Sequence, residues 1–223
     1  MNRLFTLAII VLLTALVALP GVPQKTEEKV TADSALAELK LGNKHHAQHR
    51  YLHPHETVSR QRQLASAQHP HAEILSCADS RVPPEIIFDQ GLGDLFVVRV
   101  AGNVATDAEL GSLEYGAEHL HIALIVVLGH ENCGAVTAAV QGGAVEGHIA
   151  TLVDLIKPAV EKSRGLPGDP VANAVRINVE MVVKQLRSST PILSELVAQG
   201  KLKIVGGVYS LETGEVTWLR DEK

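Results

Sequence analysis

Ile122-Ala123-Leu124-Ile125-Val126-Val127-Leu128 is seven apolar residues in a row. A strand with one wet face alternates apolar and polar residues; an unbroken run this rich in β-branched side chains is what a strand covered on both faces requires. Toward the N-terminus, Ala72-Glu73-Ile74-Leu75-Ser76 and Leu95-Phe96-Val97-Val98 read as two more short strands. Between the second of these and the long run, Glu109 to Leu120 has helical spacing, with Leu110, Leu113, Ala117 and Leu120 on one face. Toward the C-terminus, Cys133 to Val140 is Ala-rich and helical, and residues 148–162, 171–187 and 190–199 are further helices. Lys203 to Tyr209 and Glu215 to Leu219 flank Glu212-Thr213-Gly214 as strand, turn and strand. Strands alternating with helices predict an α/β fold: a mainly parallel central sheet flanked by helices on both faces.

The length of 223 residues suits one such domain. The chain is 46% apolar and 20% charged, which excludes a disordered or coiled-coil protein. A net charge of −5 with no basic block leaves nucleic-acid binding without an electrostatic footprint. There is no Walker loop, and Gly91-Leu92-Gly93 lacks the third glycine of a dinucleotide fingerprint. The two cysteines, Cys77 and Cys133, exclude a disulfide-dense miniprotein and any four-cysteine metal site within one chain. Three readings stay open: one disulfide, two inert thiols, or two metal ligands completed by other residue types.

The N-terminus concerns address. Leu4 to Leu19 is apolar apart from Thr6 and Thr14, follows Asn2-Arg3 and ends at Pro20-Gly21-Val22-Pro23. That layout predicts a signal peptide or a membrane anchor over residues 1–23, with the body exported to the periplasm or another extracytoplasmic space. Residues 24–33 read as a polar linker, and 34–223 as the folded domain. Asp33 or Ser34 caps a helix that Gly42-Asn43 is expected to stop. Residues 44–71 are polar and hold seven of the eleven histidines, read as a solvated helical surface, with metal collection as the alternative.

Chemistry gathers at two strand ends. Cys77-Ala78-Asp79-Ser80-Arg81 lies just past the 72–76 strand, and His130-Glu131-Asn132-Cys133 just past the 122–128 run. Functional sites of open α/β sheets sit outside the carboxyl ends of strands, so these loops can face each other. Cys77, His130 and Cys133 together make a thiolate–thiolate–imidazole set that suits zinc, with a fourth position open as in catalytic sites. Cys133 also opens a helix, whose N-terminal amides favour a thiolate.

Cys77-x-Asp79-Ser80-Arg81 followed by Gly129-His130-x-x-Cys133-Gly134 resembles the signature of the β-class carbonic anhydrases. The similarity runs from about Leu36 to Tyr209 and includes Arg99-x-Ala101-Gly102-Asn103 and Glu114-Tyr115. The resemblance implies one zinc ion per chain on Cys77, His130 and Cys133. It implies reversible hydration of CO₂ to bicarbonate and a proton by attack of a zinc-bound hydroxide. Asp79 matches the acidic partner of the zinc water, and Arg81 the residue that holds it. Gln68 and the backbone N–H of Gly134 match donors to bound substrate; Phe96, Ala101 and Tyr115 match the apolar wall around CO₂. The family also implies a homodimer, or dimers paired into tetramers, with a helical arm supplied here by residues 34–66. Gln68 and the wall then come partly from the neighbouring chain. Some members close the site by moving the Asp onto zinc and bind bicarbonate at a second site using a Trp, an Arg and a Tyr. Arg99 and Tyr209 match two of these, but the Trp position is Ile74, so the constitutively open form is expected.

Two other functions compete: hydrolysis of CS₂ or COS on the same scaffold, and a non-enzymatic zinc-binding protein. Intact Asp79 and Arg81 oppose the second, because zinc storage needs neither. With both cysteines on the metal, activity is expected to be redox-sensitive, and residues 4–19 offer possible membrane attachment.

Overall fold

The computed structural model describes residues 30–220. The expected signal or anchor segment, and the linker up to residue 29, lie outside them. Among the described residues no helix is long and apolar enough to cross a membrane.

Five strands form one sheet: β1 (Ala72–Ser76), β2 (Leu95–Arg99), β3 (Leu124–His130), β4 (Lys203–Tyr209) and β5 (Val216–Trp218), in the order β2-β1-β3-β4-β5. The first four are mutually parallel, and β5 returns antiparallel on β4. The mainly parallel, helix-flanked sheet is the one the sequence predicts. All seven residues of β3 are buried because it sits at the sheet centre under helices on both sides. On one face Ile74, Val126, Leu128 and Val205 pack with residues of α1 (Ala32–Ala47), α5 (Gly134–Gln141), α6 (Ile149–Ser163) and α7 (Pro170–Arg187). On the other, Leu75, Ile125, Val127 and Ile204 meet α4 (Asp107–His119), the second half of α7 and α8 (Ile192–Ala198). The aromatic-poor chain thus fills its core with branched aliphatic side chains.

Several boundaries differ from the sequence reading. The central strand begins at Leu124 rather than Ile122 and continues through Gly129 to His130, which places His130 on the strand itself. The second strand runs one residue further, to Arg99. The first helix starts at Ala32, inside the expected linker, because the Thr31 side chain caps it by accepting from the Ser34 N–H. Gly42-Asn43 does not stop it. Gly42 lies where a Cβ would sit 1.8 Å from the Phe88 carbonyl oxygen, so glycine here serves close packing. Buried Asn43 donates to the carbonyls of Ile87 and Gly214 and accepts from the Val216 N–H. The capping signal was overridden by tertiary contacts.

The arm is also less helical than expected. Between α1 and α2 (Val58–Gln63) the chain is a loop in which His49, His53 and His55 take positive φ. Buried Asp89 accepts from the N–H groups of Leu52 and His53 and pairs with His45; buried Asp94 pairs with His55 and Arg60. The histidine-rich stretch stays largely solvated, with His49, His53, His55 and His69 exposed, but it is not one helix, and buried carboxylates hold His45 and His55. The short helix α3 (Pro84–Ile87) and a single 3₁₀ turn at Ala101–Asn103 had no periodic signal to announce them.

Candidate metal centre

Parallel pairing of β1 with β3 matches Ser76 to Leu128, so Cys77 leaves the sheet beside the end of β3 that carries His130. Cys133 caps α5 three residues later. The three side chains are buried, and their ligand atoms all lie within 4.8 Å of one another. The two sulfurs are 3.9 Å apart. A tetrahedral ion with ~2.3 Å bonds to sulfur needs roughly 3.8 Å between two thiolates. His130 Nδ1 donates to the Glu131 carbonyl at 2.8 Å, which leaves Nε2 as the lone-pair nitrogen. That Nε2 is buried with no hydrogen-bond partner among the described residues. An orphaned imidazole nitrogen beside two thiols is costly for a protein and natural for a metal site. The residues fit zinc.

The surroundings favour thiolate. The neighbouring Cys133 thiol and the Gly102 N–H at 3.3 Å pull the Cys77 thiol down, against the opposing effect of burial. Cys133 moves the other way, because the adjacent thiolate and burial both hold its proton. Gly102 reaches Cys77 from φ +79, a left-handed conformation suited to glycine, and its carbonyl accepts from buried Asn178 on α7.

Asp79 stands at the rim. Its Oδ2 is 3.9 Å from His130 Nε2. Arg81 grips both of its oxygens, Nε to Oδ1 at 2.9 Å and Nη2 to Oδ2 at 2.7 Å, and adds its own backbone N–H. This bidentate pair is the main force holding the Asp79 carboxyl far below the usual carboxylate range. Arg99 fixes the loop that presents Asp79, donating to the carbonyls of Cys77 and Asp79 at 2.9 and 2.5 Å.

The sequence-predicted residues fall into two groups. Cys77, His130, Cys133, Asp79 and Arg81 come together, with Ala101 beside Gly102 and Gly134 as the first residue of α5. Gln68, Phe96 and Tyr115 gather elsewhere. Phe96 pairs with Glu73 in the ladder, four residues before Cys77, or about 13 Å back along the sheet. The Phe96 and Tyr115 rings are 6.2 Å apart, and Tyr115 shares an open cavity of 590 Å³ with Gln68. Ile74 is fully buried, Arg99 is engaged by the 77–79 loop, and Tyr209 bonds to His46, so no three-residue anion site forms from these positions. Sequence reasoning missed Gly102, Asn178 and Glu131 as neighbours of the ligands. Gly102 and Glu131 lay within the two motifs, though without a role of their own; Asn178 carried no local signal.

Known proteins agree with this geometry. Residues 72–216 match the carbonic anhydrase family model. Carbonic anhydrase 2 of Mycobacterium tuberculosis is 43% identical over 187 residues, covering 82% of this chain and 90% of that one. Among solved structures, a tetrameric β-carbonic anhydrase from Sordaria macrospora matches with TM-score 0.67 at 26% identity, over 72% of this chain and 86% of its own. The Coccomyxa β-carbonic anhydrase in complex with acetazolamide matches with TM-score 0.65 at 33% identity, over 71% and 75%. With family model, relatives, fold and ligand triad in agreement, the chain belongs to the β-carbonic anhydrase family.

Proposed function

We propose that this chain catalyses the reversible hydration of CO₂ to bicarbonate and a proton, with one zinc ion held by Cys77, His130 and Cys133. The observation that carries this is the buried S₂N triad with an arginine-locked carboxylate at its rim. Zinc at such a site supplies Lewis acidity that makes water a nucleophile near neutral pH. Asp79, ionised and acceptor-only, takes a hydrogen bond from the reacting water and leaves a lone pair facing CO₂. Arg81 keeps that carboxylate charged and engages both of its oxygens, which supports an open site.

CO₂ has almost no polar handle, so its binding falls to apolar surface. Ala101 supplies some of it within the chain. Phe96, Tyr115 and the Gln68 amide lie too far along the sheet to serve their own triad, and we assign them to the triad of a second copy. Homodimers, alone or paired into tetramers, then form complete sites from two chains. The Gly134 N–H, at the start of α5, is a donor to bicarbonate oxygen. The Leu4 to Leu19 run supports export, as a cleaved signal or an anchor, and an extracytoplasmic place of work.

Two thiols on one metal also make the site redox-sensitive. Hydrogen peroxide takes two electrons and two protons from the pair, forming a disulfide and two waters and removing both sulfur ligands. Zinc content and CO₂ hydration rate, measured before and after peroxide, test the reading together. Both should be present at the start, fall in parallel and return with thiol reductant and zinc; a metal-free preparation that hydrates CO₂ at full rate refutes the proposal.

A further inference from the structure

We infer that the Glu131 side chain is a positioning residue for the His130 imidazole. The inference rests on the metal-centre reading above. The β3–β4 ladder ends at the pair His130 and Tyr209, and Glu131 is the first residue past it. Asn132 then takes φ +51, so the chain turns sharply straight after Glu131. The Glu131 carbonyl must nevertheless stay fixed, because it alone receives the His130 Nδ1–H and so decides which nitrogen faces the sulfurs.

The carboxylate supplies the missing hold. Glu131 N–H donates to the Tyr209 carbonyl at 3.0 Å. Its Oε2 accepts from the Ser210 hydroxyl at 2.9 Å and from the Leu211 N–H at 3.2 Å. The corner it grips is itself closed: Ser210 N–H donates to the Glu215 carbonyl, Gly214 N–H to the Ser210 carbonyl, and Thr213 N–H to the Ser210 hydroxyl. Glu131 is thus pinned on both sides of its Cα to a rigid turn between β4 and β5, and its carbonyl has little freedom to rotate. Groups that orient a metal-bound histidine through its second nitrogen typically change metal affinity by about 10- to 100-fold.

Both side-chain bonds end on one oxygen, which separates shape from charge. A glutamine offers the same carbonyl acceptor without the negative charge. In chelator competition with the full chain and zinc alone, Glu131→Ala should bind zinc about 10- to 100-fold more weakly. Glu131→Gln should stay within a few-fold of wild type, which a purely electrostatic role would not allow. Should Glu131→Ala fail to fold, Ser210→Ala removes one of the two bonds and should give a smaller loss of the same sign. Unchanged zinc affinity in a folded Glu131→Ala or Ser210→Ala variant overturns the inference. Absence of zinc binding by the wild-type chain would instead overturn the metal-centre reading.

Discussion

Asp79 and Arg81 are two residues apart in sequence and joined by two side-chain bonds, one to each carboxylate oxygen. An exposed ion pair is usually worth little, but here the pair fixes where the lone pairs of a half-buried carboxylate point. Asp79→Asn keeps the size and removes the charge, and turns one oxygen into a donor that Arg81 cannot accept from. CO₂ hydration should fall about 100-fold in kcat/KM while zinc content stays at wild-type level. Stopped-flow kinetics with metal analysis reads both; an active Asp79→Asn enzyme would remove Asp79 from the chemistry. Legibility at this scale was high for the ligands, because Cys77 and the His130–Cys133 pair sit in motifs that need no tertiary knowledge. It was low for Glu131 and Asn178, whose partners lie 79 and 76 residues away.

Among the elements, β1 carries an unusual burden. Glu73 points into the core with zero exposure and, among the described residues, no partner for either oxygen, in a slot that exists because Gly116 has no Cβ. Burial pushes its carboxyl from an ordinary 4.5 up to about 9. A raised pKa favours the neutral acid in the folded chain. The contribution to stability is therefore full below about pH 4.5 and is lost as pH rises toward 9. Glu73→Gln cannot ionise, so its stability relative to wild type should increase between pH 5 and 9, by at most about 1.4 kcal/mol per pH unit. Denaturant melts across that range decide it, and a difference that stays flat with pH would show that Glu73 has found a partner. The same strand shows what sequence could and could not give. Its limits and direction followed from hydrophobic pattern and alternation with helices, whereas its buried acid broke the pattern and passed unremarked. Likewise the β3 run announced a central strand but not that it continues through Gly129 to His130, since glycine and histidine carry no apolar signal. Gly42-Asn43 spelled a helix stop, and the Phe88 carbonyl lying against Gly42 together with the buried hydrogen bonds of Asn43 explains why α1 runs on.

At the scale of the whole molecule, the distance between the triad and the Gln68–Phe96–Tyr115 group is the feature on which the proposed second chain rests. Motif spacing could not reveal it, because residues matched to one pocket need not come from one copy. A mixing experiment tests it. Cys77→Ser lacks a metal ligand but keeps Gln68, and Gln68→Ala keeps the ligands but lacks the amide. Refolded or exchanged together, half the dimers should be mixed and each should own one intact site, restoring about a quarter of wild-type activity. No gain over the two separate variants would place Gln68 at the triad of its own chain, or outside the reaction.

The central claim is that zinc on Cys77, His130 and Cys133 drives CO₂ hydration, and one comparison reaches it directly: bound zinc per chain and CO₂ hydration rate for wild type beside Cys77→Ser. The wild type should carry one zinc per chain and hydrate CO₂, and the variant should lose both together. A folded Cys77→Ser protein that hydrates CO₂ at the wild-type rate would contradict it.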